Sequence, residues 1–190
     1  MKKLLAALAF AVLGPLTSLA ISIDEVNNSP ERYKKLFENA DGIVYVDTNS
    51  VESLRYSPPF YTMRGDTYLA SYNRDFIARV TLTVDYDYKQ SGDSLAQKVD
   101  TQNKQKIISK EQRQRQIILE IMKNSGMICS RTNIIGWHID GTSPMKMKEA
   151  YNEPVTLKNW IYIPANYLFY QYYEQPFQLD FSNPQEPWNF

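Results

Sequence analysis

From Phe76 to Tyr88 the chain alternates strictly. Phe76, Ala78, Val80, Leu82, Val84, Tyr86 and Tyr88 fall on one side, and Ile77, Arg79, Thr81, Thr83, Asp85 and Asp87 on the other. Alternation over thirteen residues predicts a half-buried antiparallel strand with one face in water. Residues 68–72 read as its hairpin partner through a turn at Asn73-Arg74, or as the start of one long bent strand. A second strand signal opens at the Asp41-Gly42 turn and runs from Ile43 through Val46. Asp47, Thr48, Asn49 and Ser50 then turn the chain, because their side chains bond nearby backbone and Asn tolerates a positive φ. Residues 51–54 restart as a short strand. Residues 127–140 predict another strand with a bulge at Gly136, followed by a turn at Asp140-Gly141. Residues 155–163 predict the last strand, ended by Pro164.

Helical spacing appears in three places. Ser29-Pro30-Glu31 has the cap, first-turn proline and acidic residue of a helix start, and Tyr33, Leu36, Phe37 and Ala40 follow at three- and four-residue intervals. Residues 110–123 predict a helix, with good helix formers and no Pro or Gly before Gly126, although residues 117–122 are apolar enough to read instead as a strand turning back through Asn124-Ser125-Gly126. The stretch 100–116 is so rich in Gln, Lys and Arg that it reads either as a helix standing in solvent, on a thin seam of Val99, Ile107, Ile118 and Ile121/Met122, or as a mobile insertion. Pro164-Ala165-Asn166 starts a C-terminal helix bearing Tyr167, Leu168, Tyr170, Tyr172 and Tyr173, stopped by Pro176. Pro58-Pro59 interrupts regular structure, so residues 60–66 are expected as an exposed loop. Residues 145–150 are too short to assign. The sum is an α+β fold: a mainly antiparallel β-sheet with a short N-terminal helix, a polar middle helix and a C-terminal helix.

The totals add compartment and size. Lys2-Lys3, an apolar run over residues 4–13, the Gly14-Pro15 break and Ser18-Leu19-Ala20 form a secretory signal, with cleavage expected between Ala20 and Ile21. Ten apolar residues are too few to span about 30 Å of hydrocarbon. The expected organisation is a signal peptide at 1–20, a single domain at 21–176 and an irregular tail at 177–190. The 21 basic and 21 acidic residues balance, and loss of the two signal lysines leaves a charge of about −2, with no nucleic-acid footprint. Cys129 is the single cysteine, so no intramolecular disulfide forms, and beside Met127 and Ile128 it reads as a small buried hydrophobe, the alternative being an intermolecular bridge or a reactive thiol.

Candidate chemistry is thin. His138 is the only histidine, and on a strand it would share a face with Asp140, but no serine has a nucleophile-elbow context. One His and one Cys do not make a closed transition-metal set, and Asp85-Tyr86-Asp87 lacks calcium-loop spacing. The seven glycines are dispersed, with no phosphate loop. No catalytic residue, metal ligand or cofactor is therefore assigned. Candidate binding residues remain. Arg64-Gly65-Asp66 is an integrin-recognition tripeptide expected in the 60–66 loop, although Gly-Asp is also ordinary turn chemistry. Tyr56, Phe60 and Tyr61 flank the prolines outside any core period, as does Trp188 in the tail, and are expected as exposed contacts. Phe190 matches the last residue of outer-membrane barrels, but the chain lacks their many amphipathic strands and has Pro184 and Pro187 near its end.

The export signal, Val44-Tyr45-Val46-Asp47-Thr48-Asn49-Ser50-Val51, the long strand after it, and Trp160-Ile161-Tyr162-Ile163-Pro164 before a C-terminal helix resemble the surface-adhesin protein E-like domains of bacterial envelopes. The resemblance covers residues 43–173, and its specific parts are the two quoted stretches. It implies an antiparallel sheet with a C-terminal helix, and adhesion to extracellular-matrix and serum proteins. Members often carry paired cysteines, whereas Cys129 is alone, and the polar 100–116 segment looks inserted. The expectation is an exported, non-enzymatic envelope protein in the periplasm or on the cell surface, adhesin-like, with an unidentified protein or matrix ligand. The alternatives are a periplasmic accessory protein docking a partner through its polar middle helix and, last, a hydrolase using His138.

Overall fold

The computed structural model describes residues 20–104 and 108–178. The signal segment before Ala20, Ile107, and the tail from 179 with Trp188 and Phe190 lie outside the described residues. The described chain runs α1 (Ile23–Asn27), β1 (Tyr33–Glu38), β2 (Gly42–Asp47), β3 (Glu52–Ser57), β4 (Phe60–Ser71), β5 (Phe76–Asp87), α2 (Gly92–Gln102), α3 (Lys110–Lys123), β6 (Met127–His138), β7 (Met145–Lys146), β8 (Ala150–Pro154) and α4 (Tyr162–Tyr173). This is the expected α+β fold, a mainly antiparallel sheet with helices.

The sheet is ordered β1-β2-β4-β5-β6-β7, with β3 also on β4 and β8 also on β6. The paired β4–β5 hairpin, in register from Phe60↔Asp87 to Ser71↔Phe76, is its spine. β2 and β3 lie end to end along the outer side of β4, on residues 67–71 and 60–64 respectively. They are one strand broken by a 3-10 turn over Thr48–Ser50, which Asp47 caps by accepting the Asn49 N–H at 3.1 Å. Gly42 sits where β2 meets β4 so closely that a Cβ would lie 2.2 Å from the Ala70 carbonyl oxygen. β7 and β8 repeat the arrangement on the outer side of β6.

Alternation splits the core in two. Val46, Met63, Val80, Leu82, Val84 and Tyr86 point to one face, where α2, α3 and α4 cover them. Ile43, Tyr45, Tyr68, Ala70, Ile77 and Trp137 point to the other and pack with Ile21, Val26 and Tyr33 from the N-terminal segment. The predicted wet face of β5 is therefore wet only in part: Ile77 is fully buried, while Thr83 is half-buried and Asp85 exposed.

Several sequence expectations are corrected. The helix expected from Ser29 is a single turn, closed by Arg32 and Tyr33 N–H groups on the Ser29 carbonyl, after which β1 begins. A register shift between Lys35 and Phe37 puts Tyr33 and Phe37 on opposite faces, so an i, i+4 apolar pair belongs to a bulged strand. The N-terminal helix is instead α1, capped by Ser22. Residues 60–66, expected as a loop, are the first half of β4, with Tyr61, Met63 and Gly65 inward. Gly65, which reads as turn chemistry in the sequence, is instead a strand position whose missing side chain is filled by Leu168, whose Cδ2 would lie 2.5 Å from a Cβ there. The β6 bulge falls between residues 132 and 135, where Asn133 has φ +51°, while Gly136 pairs in register with Ala78. Residues 155–161 are turns rather than strand: Val155, Ile161 and Tyr162 are buried without a ladder.

The polar middle is a helical hairpin. Lys110–Lys123 forms α3 as expected, begun by a capping box between Ser109 and Gln112. Ser91, expected only to end the strand, also caps α2. Their seam is Leu95, Val99, Ile117 and Ile121, all about 1% exposed, whereas Met122 is outside at 56%. Packing continues past residue 176. Phe177 is in the core, and the Gln178 amide donates to the carbonyls of Gln90 and Ser125 at 2.6 and 2.7 Å.

Candidate functional site

Two surfaces collect the candidate residues. The first is aromatic and lies where the β3–β4 hairpin meets the end of α4. Tyr56 and Tyr61 are cross-strand partners with rings 5.5 Å apart, edge to face. Tyr61 continues inward to Tyr173 at 5.4 Å and Phe169 at 5.6 Å, and Phe169 meets Tyr86 and Phe177 in the core. Tyr172 stacks edge-on to Tyr173 at 5.0 Å. A continuous aromatic column thus runs from a buried base to two open rings, Tyr56 at 70% and Tyr172 at 53% exposure. Tyr61 is half-buried within it, and burial pushes its phenol pKa up. Phe60 falls on the opposite face of the sheet, with the Arg55 guanidinium 5.9 Å above its ring. Such offset and edge-to-face contacts add about 0.5–1.5 kcal/mol per pair beyond burial and hold the outer rings in place.

The second surface is polar, on the sheet face opposite the helices. It is an open trough of about 590 Å³. Its floor comes from three neighbouring strands: Arg64 and Asp66 on β4, Thr81 and Thr83 on β5, Thr132 on β6. The corner at Asn49, Ser50 and Glu52 walls one side and Asn133, turned out by the bulge, the other. Arg64 donates to Glu52 at 2.6 Å, the Thr81 hydroxyl to Asp66 at 2.6 Å, and the Asp66 N–H to Ser50 Oγ at 2.7 Å. Arg64-Gly65-Asp66 is thus strand rather than displayed loop, with both charged side chains held by neighbours.

His138 stands at the end of β6, and its Nδ1 faces Asp75 Oδ2 at 3.1 Å. Asp140 lies beyond the strand and accepts instead from Thr142 N–H and Oγ1, at 2.8 and 2.7 Å. The two residues expected to share a strand face are therefore not paired. Asp85 takes the Thr62 hydroxyl and Asp87 caps the turn after β5, so these carboxylates are engaged separately. Among the described residues no group of three or more His, Cys, Asp or Glu side chains is placed to hold a metal ion. Nor does any described helix have the length and apolarity to cross a membrane. Cys129 is buried, and burial pushes its thiol up to about 12.

The aromatic column joins Tyr56 and Tyr61, two of the three residues expected as exposed contacts beside the prolines, to Tyr172 and Tyr173, which belong to a helix more than 100 residues away, while Phe60 lies outside it. The trough was not foreseen. Thr81 and Thr83 were legible as wet-face positions, but the β5–β6 pairing that sets Thr132 beside them leaves no local trace. No protein family, curated protein or solved structure matches this chain.

Proposed function

We propose that this chain is an exported, non-enzymatic binding module of the cell envelope, adhesin-like, which engages a protein partner through its aromatic column. The observation that carries the reading is the pairing of exposed rings with a rigid base. Tyr56 and Tyr172 stand open in water on Tyr61, Tyr173 and Phe169, which are packed into the core. Tyrosines held this way bury large area at small entropic cost when a partner covers them, as interface hot spots do.

Export is supported by the charged and apolar pattern of residues 1–20, and by the position of the expected cleavage point. Ala20 is exposed while Ile21 is 5% exposed and packed against the sheet, so the scissile bond borders the folded body. The resemblance to surface-adhesin protein E-like domains supports a matrix protein as the partner class. Immobilised collagen, laminin and fibronectin, with intact cells shaved by an external protease, test the reading. Saturable binding to a matrix protein and loss of the chain on shaving are expected. A protease-resistant, strictly periplasmic chain that binds none of them would oppose it.

One observation favours the accessory-protein reading. Leu119 and Met122, three residues apart on α3, are 49% and 56% exposed. A periplasmic partner docked there would be lost from co-purification in a Leu119→Ser, Met122→Ser variant, and its retention would refute that reading.

A further inference from the structure

The trough over β4, β5 and β6 has a composition unlike an ordinary small-molecule pocket. Its volume of about 590 Å³ is in the usual range for ligand sites. Such sites are lined mainly by apolar and aromatic groups, whereas this floor is hydroxyl, amide and charge. An apolar ligand entering it would strip water from those groups without replacing the hydrogen bonds. The occupant must itself be rich in donors and acceptors.

Register arranges these groups as a grid. Asp66, Thr81 and Thr132 form one row across the strands, and Arg64, Thr83 and Ser130 the next. Rows of this kind are spaced about 4.8 Å across strands and about 6.8 Å along them, for residues two apart. Thr81 is committed to one carboxylate oxygen of Asp66, and Thr83 and Thr132 line the trough beside this pair. Each hydroxyl donates one hydrogen bond and accepts others.

Charge narrows the class further. Arg64 and Glu52 cancel as an ion pair. Asp66 is the remaining charge among the lining residues, and it accepts a hydrogen bond from the Thr81 hydroxyl. An anion would meet Asp66 and Glu52, and a cation would meet Arg64. A neutral ligand meets neither penalty.

We propose that the trough is a saccharide site, taking a neutral oligosaccharide laid across β4, β5 and β6. Thr83 and Thr132 exchange hydrogen bonds with its hydroxyls, Asp66 accepts from them, and Asn133 contacts the chain from the bulge. The site is independent of the aromatic column, so either can fail without the other.

The test is an amide-resolved NMR titration of the purified protein with neutral cello-, chito-, malto- and galacto-oligosaccharides, and with a sulfated heparin oligosaccharide as counter-ligand. At least one neutral series should give saturable shifts at residues 81–83 and 132–133. The Thr83→Val, Thr132→Val double variant should bind that series about tenfold more weakly, from the loss of two hydrogen bonds. Asp66→Asn, which keeps an acceptor for Thr81, should weaken it while leaving the melting temperature unchanged. The proposal is overturned if no neutral series shifts these amides at millimolar sugar. It is equally overturned if shifts gather at Tyr56 and Tyr172, if only the sulfated ligand binds, or if folded double variant binds as well as the parent.

Discussion

Asp47 is the most constrained charged residue described. It is 3% exposed, accepts from Arg32 Nε and Nη2 at 3.0 and 2.7 Å, and caps the corner between β2 and β3. Arg32 is half exposed and rests on the Tyr33 ring. Removing one partner of a buried ion pair costs about 3–5 kcal/mol because the other charge is stranded. With the Arg32 side chain 47% exposed, solvent reduces that figure, and Arg32→Ala should cost roughly 2 kcal/mol. A urea midpoint shifted with unchanged slope would report it, and no shift would mean that water replaces the guanidinium. Asp47 was legible as a turn-former, since Asp before Thr-Asn-Ser is local chemistry. Its partner was not, because Arg32 lies 15 residues earlier in what reads as a helix. Cys129 is simpler. With its pKa pushed up to about 12 by burial, the thiolate fraction at neutral pH is negligible. The native protein should not react with a thiol-specific disulfide reagent, and should release one equivalent of chromophore in denaturant. Rapid native labelling would place Cys129 at the surface.

At the scale of elements, the α2–α3 hairpin shows what composition conceals. Residues 100–116 are polar enough to resemble an insertion, yet the helices share a narrow seam and tie their outer faces by charge. Arg113 grips Asp100 with two hydrogen bonds, and Glu120 accepts from both Lys123 and Lys98. The hydrogen bond from Lys123, then that from Lys98, holds the Glu120 carboxyl down at about 2. A depressed carboxyl pKa contributes stability above the unfolded value of about 4.3, and that contribution disappears as pH falls towards 2. Glu120→Gln should therefore melt slightly below the parent at pH 7 and level with it near pH 2. A constant gap across that range would remove the ion pairs from the explanation. The change will be small and salt-sensitive, because the lysines are exposed. Long-period elements such as β5 and α3 were legible because many residues repeat one signal. β1 and residues 60–66 were not, since a bulge mimics helical spacing and Pro58-Pro59 reads as the start of a loop.

Across the whole molecule the sheet divides labour between its faces. One carries three helices and the larger core, and the other a small N-terminal cover beside an open polar trough. The class of fold was readable because alternation and proline placement are local. Both candidate surfaces are made by pairing β3 with β4, β5 with β6, and α4 with the sheet, so their members were visible singly and their company was not. Tyr56 and Tyr61 looked exposed beside the prolines, but only tertiary packing makes Tyr61 the link between Tyr56 and Phe169. The proposed function rests on that column. Its most direct measurement is surface-plasmon-resonance binding of the immobilised matrix panel by the parent and by a Tyr56→Ala, Tyr172→Ala double variant with an unchanged melting temperature. The account predicts saturable parent binding to at least one matrix protein, and a loss of at least about 2 kcal/mol, roughly thirtyfold, in the variant. Equal affinity of the folded variant and the parent would contradict it.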